Sequence, residues 1–330
     1  MTGLFSLVER SLRSRGSLVF TLHRVLPVNE LGACYNPNLA LTPESLDAII
    51  VFLKKRLPIV PVEELIANMA KPNAAPVCSL TFDDGWEDNY RIAFPILRSH
   101  SVPAIIFLPT DMIGSTALLP EERFCRVMMG ARKADCVELL RSQLVAASLL
   151  RDEHKLDSFD DMAGQFKRLD YNGKMQFLAT AEQLYDSPPR TVSSFFTWDH
   201  AREMQKQRMT FGSHTMRHTI LSVNPLEFMQ RELTGSKQRI QQELGVKADL
   251  FAYPNGMHSP LAVRAVREAG YRAAFCTARA AVDAKSDLFL LPRVPLSNDM
   301  VNTDGERFSG AMAELMLIQT YIAKGQDARY

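Results

Sequence analysis

Two adjacent carboxylates, Asp83 and Asp84, end the apolar run of Ser79-Leu80-Thr81-Phe82-Asp83-Asp84-Gly85. Neighbouring carboxylates repel, and a cation offsets that charge. About 130 residues later two imidazoles stand four positions apart in Gly212-Ser213-His214-Thr215-Met216-Arg217-His218. One carboxylate oxygen with the His214 and His218 nitrogens makes a three-ligand set for a catalytic divalent ion, with positions left for water. The second carboxylate can then take a proton from that water. Each feature has a plain alternative. Asp84 as the cap of a following helix, with Asp83 solvated, carries equal weight when the pair is taken alone. The two histidines can equally be one buried polar residue and one exposed one.

Other groups with chemical capacity stand at comparable places. His23 follows the apolar run 18–22, and Tyr253-Pro254-Asn255-Gly256 ends a later run. Arg293 follows the run 288–291. Trp86, next to the acidic pair, suits either stacking on a sugar ring or packing beneath a rim. His258 reads as a loop residue, and His100, His154 and His200 sit in or beside helical segments without a role.

These residues need elements to hold them. Continuous apolar runs at 18–22, 77–82, 104–108, 209–212, 250–253, 273–276 and 288–291 predict strands buried on both faces, as in a parallel sheet. Helical patterns at 43–56, 87–100, 199–208, 225–244 and 260–269 lie between them. Thr42 with Pro43 reads as a helix start and Gly270 as a helix stop. Strand alternates with helix, so the class is α/β. Every candidate group then falls at the carboxyl end of a strand, which places them all on one rim. The pattern breaks at about 115–189, where helical segments at 134–150 and 174–185 occur without a clear strand. We read one domain over 1–330 with a helical insertion that closes at Ser187-Pro188-Pro189.

Composition narrows the function. The 330 residues are 46% hydrophobic, which suits a globular chain with a large core. The 38 basic and 37 acidic side chains nearly cancel, leaving no global field to draw in nucleic acid. The cysteines (34, 78, 125, 136 and 276) are odd in number and scattered, which fits a reducing compartment better than a disulfide framework. The opening segment, 1–15, mixes apolar and charged residues and does not read as a secretory signal, so a cytoplasmic or membrane-proximal protein is expected. That segment reads as a surface helix, with peripheral membrane contact as the alternative. No stretch reads as a bilayer span, and nothing in the composition sets an oligomeric state.

The segments Thr81-Phe82-Asp83-Asp84-Gly85, Ser213-His214-Thr215-Met216-Arg217-His218 and Phe251-Ala252-Tyr253-Pro254-Asn255-Gly256 resemble, in order, the first three motifs of the polysaccharide deacetylases, carbohydrate esterase family four. The resemblance covers roughly 77–296, apart from the insertion. It implies a deformed (β/α) barrel of about seven parallel strands. It also implies a divalent metal, zinc first, with cobalt, nickel or manganese as alternatives. The implied reaction removes an N-acyl group, N-acetyl first, from an amino sugar or lipid-linked saccharide. By position, Asp83 would be the general base, and Asp84, His214 and His218 the metal ligands. Tyr253 would sit beside the metal with its backbone N–H polarising the substrate carbonyl. Arg293 would orient Asp83, with a surface ion pair of equal weight.

The chain departs from the family in one respect. Many members carry a late Leu-x-His whose histidine is the general acid, and this chain has no histidine after His258. Thr21-Leu22-His23-Arg24-Val25 instead resembles the Tyr-His-Arg-Val segment of a permuted branch that deacetylates exopolysaccharides. That likeness implies His23 as the acid. Relatives of the fold also hydrolyse formyl groups on lipid-linked sugars and cyclic amides, and a sugar-binding scaffold without catalysis is the third reading.

Overall fold

Seven short runs, most of them fully apolar, pair into one sheet. They are β1 (Leu18–Leu22), β2 (Cys78–Asp83), β3 (Ala104–Leu108), β4 (Met209–Ser213), β5 (Leu250–Ala252), β6 (Ala273–Phe275) and β7 (Val294–Pro295). The computed structural model describes residues 16–32, 34, 36–71, 74–130, 132–149, 156–184, 194–303 and 307–322. The expected opening helix at 1–15, the Ser187-Pro188-Pro189 stop and His154 lie outside those residues. The spatial order is β6-β5-β4-β3-β2-β1-β7, with every neighbouring pair parallel. Every residue of β1, β2 and β3 is buried, because helices cover one face and the barrel interior fills the other.

The sheet curls until its two edges almost meet. Leu291 donates its N–H to Ala274 and accepts from Cys276, so it pairs with the β6 edge. Val294, on β7, pairs with Phe20 of β1 at the other edge. Three residues reach at most about 10 Å, so this crossing fixes how far the half-barrel closes. The fold is the expected deformed α/β barrel.

The outer helices include α1 (Pro43–Lys54), α2 (Val62–Met69) and α3 (Phe94–Ser99). Thr42 caps α1 by accepting from the Ser45 N–H, and Leu46, Ile49, Ile50 and Leu53 form its buried stripe. Between β3 and β4 run α4 (Pro120–Met129), α5 (Lys133–Ala146), α6 (Phe159–Arg168) and α7 (Tyr171–Glu182). These four pack on a cluster of their own that includes Phe124, Leu140, Leu144, Phe166 and Phe177. Helices α5 and α7 answer the patterns at 134–150 and 174–185; α4 and α6 had no counterpart in the sequence reading. After β4 come α9 (Leu226–Leu244) and α10 (Pro260–Glu268), preceded by α8 (Trp198–Gln205), and α11 (Gly310–Ile322) closes the described chain.

Two expectations need correction. The run 288–291 is a turn that meets β6 only at its two ends, where the Leu288 carbonyl accepts from Ala274 and Leu291 forms a single bridge. Asp287 captures the N–H groups of Phe289, with its side chain, and Leu290, with its carbonyl, which bends the chain before a strand can form. The expected single helix at 87–100 contains a π-helical stretch, Asn89–Ala93, before α3. Pro95 lacks an N–H and would clash with the carbonyl one turn back, and the widened turn relieves that conflict. The five cysteines are all free and buried. Among the described residues no helix is long and apolar enough to cross a membrane.

Candidate active site

Strand β2 pairs with β3 to its last residue, Asp83, and the Asp84 N–H still donates to the Phe107 carbonyl at 3.0 Å. There the backbone turns into the left-handed region at both Asp84 (φ 74°) and Gly85 (φ 72°). Asp tolerates the conformation at a cost of about 1 kcal/mol. A Cβ on Gly85 would come within 2.8 Å of Ile113 Cδ1, so this position needs glycine for space as well as for angle. The double turn breaks strand alternation and brings both carboxylates to one place.

The histidine loop is built in a similar way. The His214 N–H donates to Leu108 at the end of β3. The chain then passes through Thr215 (φ 66°) and reaches His218 (φ 57°) by a turn, not a helix. Buried Glu232 on α9 accepts the N–H groups of Met216 and Arg217, at 2.9 and 3.2 Å, and pins the loop from behind.

Asp84, His214 and His218 converge, with one ligand atom from each lying within 4.8 Å of the others. Asp84 Oδ1 stands 3.7 Å from His214 Nε2 and 3.5 Å from His218 Nε2. His214 Nδ1 lies 2.7 Å from the Ala252 carbonyl, which can only accept, so Nδ1 carries the proton and Nε2 presents its lone pair. His218 Nδ1 faces Glu121 Oε2 at 3.1 Å, with the same consequence. Asp84 Oδ2 accepts from Trp86 Nε1 at 3.1 Å, while Oδ1 is buried without a hydrogen-bond partner. A buried anionic oxygen facing two lone pairs is the donor set of a cation, so these residues fit a divalent metal.

Burial, opposed by Asp83, pushes His214 down to about 4, so its ring is neutral at pH 7. Burial also disfavours charge on His218, but Glu121 and Asp84 outweigh it and raise that pKa.

Asp83 sits beside this group under different constraints. Both its oxygens bond Arg293, and its Oδ2 lies 3.8 Å from His23 Nε2 and 3.9 Å from His214 Nε2. Burial would raise the Asp83 carboxyl, but Arg293 and then His214 override it and hold the group well below the usual carboxylate range. Arg293 reaches inward because it stands between Leu291 and Val294, where the chain crosses from one sheet edge to the other. The His23 side chain is 23% exposed against 4% for Asp83, so the imidazole borders the cleft and the carboxylate lies buried behind it. The His23 carbonyl accepts from Asn89, and next to it Arg24 bonds Asp88 at 2.6 Å and stacks over Trp86 at 4.4 Å.

Tyr253 does not stand as expected. It is fully buried, its N–H donates to the Phe275 carbonyl at 2.9 Å, and its ring packs edge-on against Phe251. The N–H is consumed by sheet pairing and is not turned to the cleft. Asn255 is the residue of that motif that reaches the cleft, held at φ 56°.

The cleft has a volume of about 440 Å³. The barrel rim lines one side through His23, Asp84, His218 and Asn255, and α4 and α6 line the other through Glu121, Phe124, Phe159, Asp160 and Lys167. Trp86 is fully buried and stacked on Phe195 at 4.6 Å, so of its two sequence readings the packing one holds. Sequence reasoning missed Glu121, for which the helical pattern held no signal, and Asn255, which its own motif contained. His100 pairs with Asp47, His200 stacks on Tyr90, and His258 lies beside the Gly256 carbonyl.

A family profile described as polysaccharide deacetylase matches residues 70–274. The Bacillus subtilis protein YxkH, named for the same family, is 21% identical over 237 residues, covering 72% of this chain. The chain spans 56% of the length of that relative. Among solved structures, the Streptococcus pyogenes deacetylase PplD in complex with acetate matches 92% of this chain and 98% of its own, with a TM-score of 0.59 at 17% identity. IcaB from Ammonifex degensii matches 93% of this chain and 98% of its own, with a TM-score of 0.59 at 16% identity. The deacetylase domain of BpsB from Bordetella bronchiseptica matches 86% and 97%, with a TM-score of 0.52 at 15% identity. These structural likenesses are likenesses of fold.

Proposed function

This chain belongs to the polysaccharide deacetylase family, and from that premise we propose that it is a metal-dependent hydrolase that removes an N-acyl group, N-acetyl first, from an amino sugar or saccharide precursor. The observation that carries the reading is the Asp84 carboxylate: Oδ1 is buried without a hydrogen bond and faces the Nε2 lone pairs of His214 and His218. Asp83 Oδ2 and His23 Nε2 lie 3.8 Å apart beside this group. In this reading Asp84, His214 and His218 hold the metal. Two imidazole nitrogens and one carboxylate oxygen suit zinc, with cobalt, nickel or manganese as alternatives. When bound, the ion supplies a Lewis acid for the amide oxygen and lowers the pKa of water.

The chain's own residues perform the rest. Asp83, kept ionised by Arg293, takes a proton from the water that attacks the acyl carbon. The carbon–nitrogen bond then breaks, and His23 gives a proton to the departing nitrogen. An unprotonated amide anion is far too basic to leave. Arg293 fixes the direction in which Asp83 presents its oxygens and meets no substrate. Tyr253 packs the rim from beneath, and its committed N–H leaves it no part in polarising the carbonyl. The aromatic and polar side chains of α4 and α6 form the wall against which a sugar would lie.

The test is acyl release after metal reconstitution, over a panel of N-acetyl sugars, N-formyl sugars and cyclic ureides. Acetate from the first group is the expected product. Formate or ring opening instead would move the substrate class while keeping the site. A protein that takes up no metal would be a binding scaffold, and the proposal would fail.

A further inference from the structure

The barrel orients one of the two imidazoles and leaves the other to the inserted helices. His214 Nδ1 is held by the carbonyl of Ala252, a residue of β5. His218 Nδ1 is held by Glu121, which comes from α4, 97 positions away. We infer that Glu121 is a positioning residue of the metal centre, setting the orientation and tautomer of His218 and making the inserted helices part of the site. The inference rests on the metal reading above.

Two observations converge on it. First, the Glu121 carboxylate is not the cap of its own helix. Glu122 caps α4 by accepting the Leu119 N–H at 3.2 Å. Second, the carboxylate is buried at 9% exposure, and burying an ionised group is costly unless it is paired. Its two oxygens go to two rim loops: Oε2 to His218 at 3.1 Å, and Oε1 accepting from Asn255 Nδ2 at 3.3 Å.

A carboxylate on the far nitrogen of a metal-bound imidazole fixes which nitrogen carries the proton and where the ring points, and it makes the ligand more basic. Here the same carboxylate ties the ligand loop to the helix that walls the cleft. Metal loading and the seating of α4 are therefore linked equilibria, and each favours the other.

The test measures metal affinity directly. Full-length Glu121→Ala, Glu121→Gln and Leu140→Ala proteins are stripped of metal and titrated with Co²⁺ and Zn²⁺. The Co²⁺ absorption bands report the geometry of the ligands. Leu140→Ala loosens the buried core of the same helices without touching His218. We expect Glu121→Ala to bind about 100-fold and Glu121→Gln about 10-fold more weakly, with altered Co²⁺ bands. Leu140→Ala should lose far less affinity than Glu121→Ala and keep the Co²⁺ bands of the unaltered chain. If Glu121→Ala does not fold, Glu121→Gln decides. Unchanged affinity in the glutamate variants, or an equal loss in Leu140→Ala, overturns the inference and leaves the metal reading standing. Absence of binding by the unaltered chain removes both.

Discussion

Arg293 and Asp83, 210 positions apart in the chain, form a two-pronged buried ion pair beside the candidate metal ligands, with each prong at 2.7 Å. Arg293 also reaches Thr81 Oγ1 at 3.2 Å, so it joins β2 to the point where the sheet edges approach. The pair is almost fully buried. Replacing Arg293 by Met leaves a charged carboxylate without its partner, and should cost about 3–5 kcal/mol of stability. Arg293→Lys, which keeps the charge and loses the fork, should cost less. Urea denaturation at neutral pH checks both, and an Arg293→Met protein as stable as its parent would contradict the ion pair.

The roles proposed for Asp83 and His214 separate cleanly. Asp83→Asn should keep bound metal while turnover falls about 10²–10⁴-fold, the usual worth of a general base. His214→Ala should lose both metal and turnover. Metal content by atomic absorption, measured beside acyl release, distinguishes the two. Near-normal release by Asp83→Asn would remove Asp83 from the base role.

Trp86 presents a polar contact on a packed ring. Its Nε1 donates to Asp84 Oδ2, and its face stacks on Phe195. Trp86→Phe keeps most of the packing and deletes the donor. Metal affinity should weaken about 10-fold, as for other groups that orient a ligand. Equal affinity would show that Asp84 is positioned by its backbone alone.

Lys174 supplies a pH dependence away from the ligand set. It is buried in the inserted helices, and burial, together with Lys167, lowers its pKa to about 8 against the pull of Glu121 and Asp170. A lysine depressed in the folded state binds fewer protons there than in the unfolded chain between about pH 8 and its ordinary 10.5. Stability therefore rises with pH across that window, and at pH 7 the folded state carries the full cost of the buried charge. Lys174→Met should be more stable at pH 7, by on the order of 2 kcal/mol, and should lack the rise. Thermal unfolding from pH 7 to 10.5 reads the difference; parallel curves for parent and variant would refute it.

Much of the fold was legible because its signals are local. The fully buried strands β1, β2 and β3 read as unbroken apolar runs. The turn that ends at Leu291 also read as a strand, because its composition is the same and only the Asp287 contacts distinguish it. The four inserted helices, α4 to α7, were only half visible. The longer α5 and α7, of 14 and 12 residues, were disclosed, while α4 and α6 span only 10 residues each, too few for a helical pattern to repeat often.

The sequence by itself determined that Asp83, Asp84, His214, His218 and His23 would emerge after strands on one rim, since a buried parallel sheet opens all its carboxyl ends on one face. Tertiary structure alone decided that Arg293 would grip Asp83, that Glu121 would hold His218, and that the Tyr253 N–H would be consumed by Phe275. A residue's type and its near neighbours constrain its own backbone. The partner it meets across 97 or 210 positions depends on sheet curvature and helix seating, which are sums of many weak packing contacts that no short stretch of chain encodes.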